Sequence, residues 1–454
     1  MNAIIFGRDA HRGLWVPLVT FALALTAALT IGLSTKVTLF IVLLLALLFL
    51  RQPVVLILAG CTAYIHIFLA SKSSVEYLVQ DMWFTVDREV LLSIPMFILA
   101  GSLMTSGSIA QRLINVMVAM TAPVPGGLAI AAVLACGVFA AISGSSIVTM
   151  LAIGTIMYPA LLKDGYSKVF SIGLICSAGT LGVMIPPSIP MILYGIVTET
   201  SITKLFIAGI APGLVLVLLF SVYSYAKNRS KPTQEFDLER IAVAWKEGVF
   251  AIFLPVLLLG GIYTGYFSPT ESAAVSLLYA LLVELLIHRS MKLESYKQVA
   301  LGTVTMLGAL LPLLAICTSL NTILAYEGIA KSWVAFVAAN VSSPVLVMLG
   351  INVLLLIVGC LMEVASAIMV FAPLLYPMAM NAGFDPVHFG IIMTANLEIG
   401  YLTPPVGLNL IVAMAAFRES FALIVRGVVP FMVIMLAWLA LVASWPSMVL
   451  YLGR

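Results

Sequence analysis

Apolar runs about as long as a membrane span recur along the whole chain of 454 residues, and they restrict its possible folds more than any other feature. A helix of about 20 apolar residues crosses the hydrocarbon core of a bilayer. Only 9% of the residues are charged, whereas soluble domains carry roughly 25%. The sequence therefore predicts an all-α polytopic membrane protein without a sizeable soluble domain.

Uninterrupted apolar runs predict nine spans, and two further stretches mix charged with apolar residues. The spans are 14–33, 37–50, 54–70, 91–105, 203–226, 248–267, 272–287, 298–325 and 427–450. The mixed stretches, 75–90 and 106–122, are expected to lie along the membrane interface as amphipathic helices. The run 14–33 is long for a signal-peptide core and more spans follow it, so we interpret it as an uncleaved first helix.

Four other apolar regions are interrupted near their middle by Gly, Pro or small polar residues: 126–162, 168–199, 344–380 and 387–417. The long polar loop 227–247 is rich in Lys and Arg, so we place it in the cytoplasm. If 126–162 and 344–380 each enter and leave the membrane on one side, 16 of the 22 Lys and Arg residues lie inside. This bias predicts a multi-pass protein with a cytoplasmic N-terminus and two re-entrant helical hairpins.

The second half of the chain repeats the first at a constant separation of 218 residues. The matched pairs are Tyr158-Pro159 with Tyr376-Pro377, Gly165 with Gly383, Gly182 with Gly400, Pro186-Pro187 with Pro404-Pro405, and Pro212 with Pro430. The loops 163–168 and 381–386 fall on opposite sides of the membrane, so the repeats are inverted. Inverted repeats with interrupted helices indicate a secondary transporter whose site lies near the midplane.

The second interrupted region of each repeat contains a double proline, in "GTLGVMIPPS" (179–188) and "EIGYLTPPVGLN" (398–409). Proline removes a helical hydrogen bond and pushes the preceding residue towards extended conformations. Non-helical backbone at membrane depth is tolerated where it lines a cavity. We therefore predict two broken helices, with freed carbonyls suited to Na⁺ and half-helix N-termini suited to an anion.

The first interrupted region of each repeat has small or charged residues at its middle, where a hairpin tip is expected. Ser143, Ser145 and Ser146 supply hydroxyls in the first region, and Glu363 matches Ser145 at +218. A carboxylate deep in an apolar run is a functional candidate. Small residues also serve simply to pack helices closely, and that alternative stays open for the serines.

Other polar residues rank lower as candidates. Asn396 and Thr403 flank the second double proline and either bind an ion or bond across helices. Glu398 is a weaker candidate, while Asn409 and Tyr194 are candidates for facing substrate. Asn321 and Asn352 are interpreted as interhelical hydrogen-bond residues. The sequence gives no nucleophile–base motif, no metal-binding cluster and no basic tract for nucleic acid, so an enzyme is not expected.

Several motifs in unbroken order resemble the large membrane subunit of TRAP transporters, the tripartite ATP-independent periplasmic carriers. They are "IPMFILAGSLMTSGSIAQRL", "PGGLAI", "ISGSS", "LGVMIPPSIPMILYG" and "GYLTPPVGLN". The resemblance runs from about Val37 to the C-terminus. It implies an elevator-type importer of organic acids in the bacterial inner membrane, with two sodium sites and no organic cofactor. The family often has Gly-Pro where this chain has Gly182-Val183.

The resemblance also implies ligand sets and partners. The first sodium site would use Ser143, Ser145, Ser146, Gly182, Met184 and Ile185. The second would use Glu363, Ala365, Ser366, Asn396, Gly400 and Thr403. Substrate would contact Ser145, Pro187, Ser188, Pro405 and Asn409. The implied partners are a small membrane subunit of about four helices, which braces the scaffold, and a periplasmic binding protein that delivers the organic acid.

The expected organisation has two scaffold parts and a mobile transport domain. An additional N-terminal helix occupies 1–36, scaffold helices with an amphipathic arm occupy 37–125, and more scaffold helices follow at 200–343 and 418–454. The transport domain comprises 126–199 and 344–417. A stand-alone proton- or sodium-coupled divalent-anion carrier without a binding protein is the main alternative, followed by a channel and an intramembrane enzyme.

Overall fold

The computed structural model describes residues 34–451 except 51, 71–73, 234 and 342. The predicted helix 14–33 lies outside this part of the chain. Every regular element in the described part is helical. Ten of these helices are long and apolar enough to cross a membrane by length and composition. The prediction of an all-α polytopic membrane protein is confirmed.

The helices follow the predicted runs closely. The first five are α1 (Thr35–Phe49), α2 (Val54–Tyr64), α3 (Val75–Val86), α4 (Ser93–Ser106) and α5 (Ile109–Thr121). The first interrupted regions form α6 (Gly127–Ser143), α7 (Ser146–Lys163), α8 (Lys168–Gly179), α9 (Leu181–Met184) and α10 (Ile189–Thr198).

The remaining helices repeat this pattern after a central group. The central helices are α11 (Ile202–Lys227), α12 (Leu238–Tyr263), α13 (Pro269–Leu282), α14 (Leu293–Tyr326) and α15 (Ile329–Asn340). The second interrupted regions and the C-terminal helices are α16 (Pro344–Leu361), α17 (Val364–Asn381), α18 (Pro386–Gly400), α19 (Leu408–Phe417), α20 (Phe421–Ser444) and α21 (Pro446–Leu450).

Contacts between Cα atoms divide the chain into two units. The smaller unit contains the residues up to Asp87 together with Gly308–Ser332. Within it, buried Ser319 lies between two polar groups: its hydroxyl is 3.1 Å from His66 Nε2 and donates to Asp81 at 3.0 Å. This chain of hydrogen bonds joins three helical segments. Both sequence repeats belong to the larger unit, which holds Arg88–Leu307 and the residues from Trp333 onwards.

The first predicted hairpin is present as α6 and α7, which pack against each other. The turn between them consists of Gly144 and Ser145. Gly144 has a φ of 60°, a left-handed conformation that glycine adopts without steric cost. In the second hairpin, α16 and α17 are separated by Met362 and Glu363, both extended. These two turns lie where the sequence predicted the hairpin tips.

Both predicted broken helices are also present. Leu181–Met184 ends before Pro186-Pro187, and Ile189–Thr198 begins after it. Pro386–Gly400 likewise ends before Pro404-Pro405, and α19 follows. Because neither proline of a pair has an N–H group, the helix cannot continue its hydrogen-bond ladder through them.

The two repeats interlock. The helix after the first double proline, α10, packs on α17 of the second hairpin, and its counterpart α19 packs on α7 of the first hairpin. Each repeat therefore supplies the hairpin that supports the other repeat's broken helix. At one end of this arrangement, Glu419 accepts hydrogen bonds from Tyr158 of α7 at 2.8 Å and from Lys168 of α8 at 3.2 Å.

Tyr158→Phe should lower stability by about 1 kcal/mol, the usual net value of one hydrogen bond. The Tyr158 hydrogen bond and then the Lys168 charge lower the pKa of the Glu419 carboxyl. A carboxyl whose folded-state pKa is lowered contributes stability above its unfolded pKa and loses it as pH falls through the folded-state pKa. Thermal unfolding measured from neutral pH into the acid range should show the two proteins converging as Glu419 becomes protonated. A constant difference at all pH values would contradict this.

Candidate functional site

The tip of the first hairpin packs directly on the first break. We call residues 143–149 tip 1 and residues 180–188 break 1. The Cα of Gly182 is so close to tip 1 that a Cβ there would lie 2.5 Å from Thr149 Oγ1 and would overlap the Ser145 carbonyl. Ser143 Oγ is 2.6 Å from Thr149 Oγ1. Hydroxyl and carbonyl oxygens of tip 1 thus face the backbone of break 1.

The second hairpin and second break make the same kind of contact. We call residues 359–366 tip 2 and residues 400–407 break 2. A Cβ on Gly400 would lie 2.6 Å from the Cα of Gly359, so the two backbones touch. Only glycine at both positions permits so close an approach.

Matching backbone hydrogen bonds join each tip to its break. Ile189, the first residue of α10, donates its N–H to the Gly144 carbonyl at 3.3 Å. Gly407, which precedes α19, donates to the Cys360 carbonyl at 3.1 Å. Ile189 and Gly407 are separated by 218 residues, the spacing of the sequence repeat. The internal symmetry of the sequence therefore extends to the hydrogen bonds of the site.

Several carbonyls at break 1 lose their helical donors. Residues four positions after Gly182 and Val183 are prolines, so these two carbonyls have no i+4 N–H to accept. The Met184 carbonyl instead lies near Gly209 of α11, 3.1 Å from where a Cβ would be. The side chain of Ile185 packs near Gly213 of the same helix. Of the four carbonyls considered from the sequence, those of Gly182 and Val183 are the ones left without a helical donor.

The two breaks differ in exposure. All residues of break 1 are buried, including the predicted substrate residues Pro187 and Ser188. In break 2, Thr403 and Pro404 are partly exposed and Pro405 is exposed. The Thr403 hydroxyl donates to the Ile399 carbonyl of its own helix at 2.8 Å. The Gly400 carbonyl already accepts from the Thr403 N–H at 2.8 Å.

Glu363 differs from the expectation of a carboxylate deep in an apolar environment. It is exposed and forms the N-cap of α17, where it accepts from the N–H and the hydroxyl of Ser366, both at 3.1 Å. A side-chain acceptor at this position satisfies otherwise free N–H groups of the first turn. Ala365 and Ser366 are buried beside it. Its exposure leaves its outer oxygen accessible.

Three further candidates are placed as follows. Asn396 bonds across helices, because its Nδ2 donates to the Asn352 carbonyl at 3.1 Å and to Asn352 Oδ1 at 2.5 Å. Its own Oδ1 has no partner among the described residues. Tyr194 does not face the breaks; its hydroxyl donates to the Pro386 carbonyl at 2.8 Å.

The first turns of the two half-helices carry buried polar groups. Ser188 precedes α10 and Asn409 lies in the first turn of α19; both side chains are fully buried. The Ser188 hydroxyl and Asn409 Oδ1 have no partner in the described part of the chain. Asn409 Nδ2 donates to Glu398 Oε1 at 3.4 Å. The predicted substrate residues therefore include two unsatisfied groups at helix N-termini, where an anion is favoured.

Sequence analysis ranked Glu398 too low and passed over Thr149. Glu398 is fully buried, whereas Glu363 is exposed. Both acids lie in apolar runs, so hydropathy does not distinguish them. The distinguishing signal is position: Glu398 lies inside a helix two residues before the paired glycine Gly400, while Glu363 stands immediately before a helix, where an N-cap is expected.

Residues 41–448 match the family described as "Tripartite ATP-independent periplasmic transporter, DctM component". The chain belongs to this family. A curated relative from Pseudomonas aeruginosa, "C4-dicarboxylate TRAP transporter large permease protein DctM", is 40% identical over 396 residues, covering 87% of this chain and 93% of its own. "Ectoine TRAP transporter large permease protein TeaC" from Halomonas elongata is 34% identical over 425 residues, covering 91% and 98%.

A solved structure also shares the fold of this DctM-family chain. It is titled "Crystal structure of the Alcanivorax borkumensis YdaH transporter reveals an unusual topology". It aligns with a TM-score of 0.60 at 14% identity, covering 91% of this chain and 98% of its own. At that identity the likeness concerns fold alone.

Membership of the DctM family settles the general role. The chain is a large permease component of a tripartite transporter and is related to transporter permeases rather than to enzymes. The family implies a small membrane subunit and a periplasmic binding protein as partners. The predicted resemblance is confirmed, and so is the prediction of a multi-pass membrane protein with interrupted helices.

Proposed function

We propose that this permease imports a small organic acid together with Na⁺ by an elevator movement in the bacterial inner membrane, with its N-terminus in the cytoplasm. The observation that carries the proposal is the doubled contact between a hairpin tip and a helix break. Each contact is closed by a matching N–H bond, from Ile189 and from Gly407. Two such contacts in inverted repeats provide two equivalent places for an ion.

Oxygen atoms concentrated at tip 1 and break 1 support a sodium site there. The ligand set would combine the hydroxyls of Ser143, Ser145 and Ser146 with the freed carbonyls of break 1. Thr149 joins this set because its hydroxyl touches that of Ser143. At tip 2 and break 2, Glu363 would supply a carboxylate oxygen. Hard oxygen ligands of this kind suit Na⁺, although the small protein-free charge must be balanced by its cargo.

The N-termini of α10 and α19 support binding of an organic anion. Free N–H groups and the positive ends of helix dipoles converge near Ser188 and Asn409. Neither tip nor either break contains Lys or Arg. Bound Na⁺ and backbone dipoles would therefore neutralise the cargo's carboxylate.

The names of relatives support the class of cargo. They include C4-dicarboxylate and ectoine permeases, which are small acids or zwitterions carrying a carboxylate. We propose cargo of this size, delivered by a periplasmic binding protein and carried by 126–199 and 344–417 with support from a small membrane subunit. The specific acid depends on the binding protein as well as on this chain.

Uptake into proteoliposomes tests the proposed function. The complete transporter should accumulate labelled organic acid only when an inward Na⁺ gradient and the loaded binding protein are both present. A proton gradient without Na⁺ should give no accumulation. Full uptake without Na⁺ and without the binding protein would instead support the stand-alone divalent-anion carrier.

Thr149→Val should raise the Na⁺ concentration needed for half-maximal uptake roughly tenfold, the effect of losing about 1.4 kcal/mol of ion binding. Valine keeps the shape of threonine but lacks the hydroxyl that contacts Ser143. Thr155→Val is a matched control in the same helix, because Thr155 is exposed and bonds only within α7. Equal Na⁺ dependence in the two variants would show that tip 1 does not bind Na⁺.

A further inference from the structure

Glu398 is a carboxyl group enclosed within the candidate site. It is fully buried near the end of α18, and Asn409 donates to only one of its oxygens, at 3.4 Å. The other oxygen, Oε2, has no hydrogen-bond partner in the described part of the chain. The Ser146 hydroxyl of tip 1 faces the carboxyl without completing a hydrogen bond to it.

Asn409 adds a second open acceptor beside Glu398. Its amide donates to Glu398, and its Oδ1 lacks a partner among the described residues. Carboxylate and carbonyl oxygens accept hydrogen bonds only. Two neighbouring buried acceptors without donors are costly, so the site is incomplete until a donor enters.

The position of these acceptors indicates where the donor comes from. Asn409 lies in the first turn of α19, where the proposed function places the cargo's carboxylate. Glu363 is the other acid that acts on Glu398 electrostatically. A cargo with carboxylates alone would bring another acceptor-only group against Glu398, and like groups in contact disfavour binding.

We propose that Glu398 and Asn409 select organic acids that carry a hydroxyl or a protonated nitrogen beside the carboxylate. This inference rests on the proposed function, since it concerns the cargo of the same site. The half-helix N-terminus holds the carboxylate, and the acceptor pair takes the donor. A site built to hydrogen-bond one group of its ligand discriminates strongly against analogues lacking it.

Direct binding to the purified permease with its small subunit tests the inference without the binding protein's own selectivity. Two sets of acids share a skeleton and differ at one carbon: succinate, malate and aspartate, and propionate, lactate and alanine. The measurement is the acid concentration that gives half-maximal thermal stabilisation in saturating NaCl. We expect the hydroxyl or amino member of a set to bind about 10- to 100-fold more tightly than its parent.

Glu398→Gln and Asn409→Leu should each reduce this preference to about threefold or less. Glu239→Gln is the matched control, because Glu239 is exposed at the start of α12. Malate compared with aspartate shows whether the donor is a hydroxyl or a protonated nitrogen.

Each remaining outcome has a definite meaning. Acids that bind without preference, or a preference unchanged in both variants, would overturn the inference and indicate that water or an ion satisfies the acceptors. Binding of none of the six acids, with or without Na⁺, would overturn the proposed organic-acid function itself.

Discussion

Gly182→Ala is expected to abolish Na⁺-driven uptake and to destabilise the protein. A methyl group at this position would overlap the Ser145 carbonyl and would lie 2.5 Å from the Thr149 hydroxyl. The Ser145 carbonyl belongs to the backbone, so it cannot move aside without shifting the whole of tip 1. Because tip 1 supplies the oxygens proposed to hold Na⁺, the shift would disturb the ion site and the packing together.

Overpacking of this kind typically costs about 1–3 kcal/mol. A displacement of about 1 Å at a geometrically defined site is also enough to reduce a rate roughly 100-fold. Uptake into proteoliposomes and thermal unfolding of the purified protein measure the two effects separately. We expect both to change, with the loss of uptake persisting at temperatures where the variant is still folded.

Gly350→Ala is the matched control for this substitution. Gly350 lies inside α16, and nothing comes within 4 Å of the position that a Cβ would take. Replacing glycine with alanine in an open helical position stabilises a helix by roughly 0.5–1 kcal/mol. If Gly182→Ala behaves like Gly350→Ala in both measurements, the close contact between tip 1 and break 1 does not exist in the working protein.

The sequence was sufficient to predict the architecture of the site, because its decisive signals are local. Gly144 permits a reversal of the chain, and a double proline interrupts any helix regardless of what surrounds it. The constant spacing of 218 residues then showed that hairpins and breaks occur twice. None of these inferences requires knowledge of which side chains meet.

The orientation of individual side chains could not be predicted in the same way. Glu363 and Glu398 both interrupt apolar runs, but one caps a helix and is exposed while the other is fully buried. Their difference depends on helix phase on either side of a break, and the break removes the regular period from which phase is inferred. Tertiary packing likewise turns the Met184 carbonyl towards α11.

Close packing also bears on which helices move during transport. The sequence divided the chain so that α8 belongs to the transport domain and α20 to the scaffold, and this division stays a prediction. A Cβ on Gly173 of α8 would overlap the carbonyl of Gly427 in α20, so the two backbones touch. Phe170 of α8 also packs on Phe431 of α20, with ring centroids 6.0 Å apart. Packed interfaces of this kind change between discrete arrangements and do not slide continuously.

We therefore expect α20 to travel with α8, which a cross-link between the helices tests. Phe170→Cys and Phe431→Cys joined by a short bis-maleimide should keep most of the uptake of the unlinked double variant. The single-cysteine proteins treated with the same reagent are the controls for labelling itself. If α20 is fixed scaffold and α8 moves past it, the covalent link must stop the movement, and cross-linked protein would show no uptake. Retained uptake would place the boundary of the moving part beyond residue 418, because a link across a sliding interface cannot be tolerated.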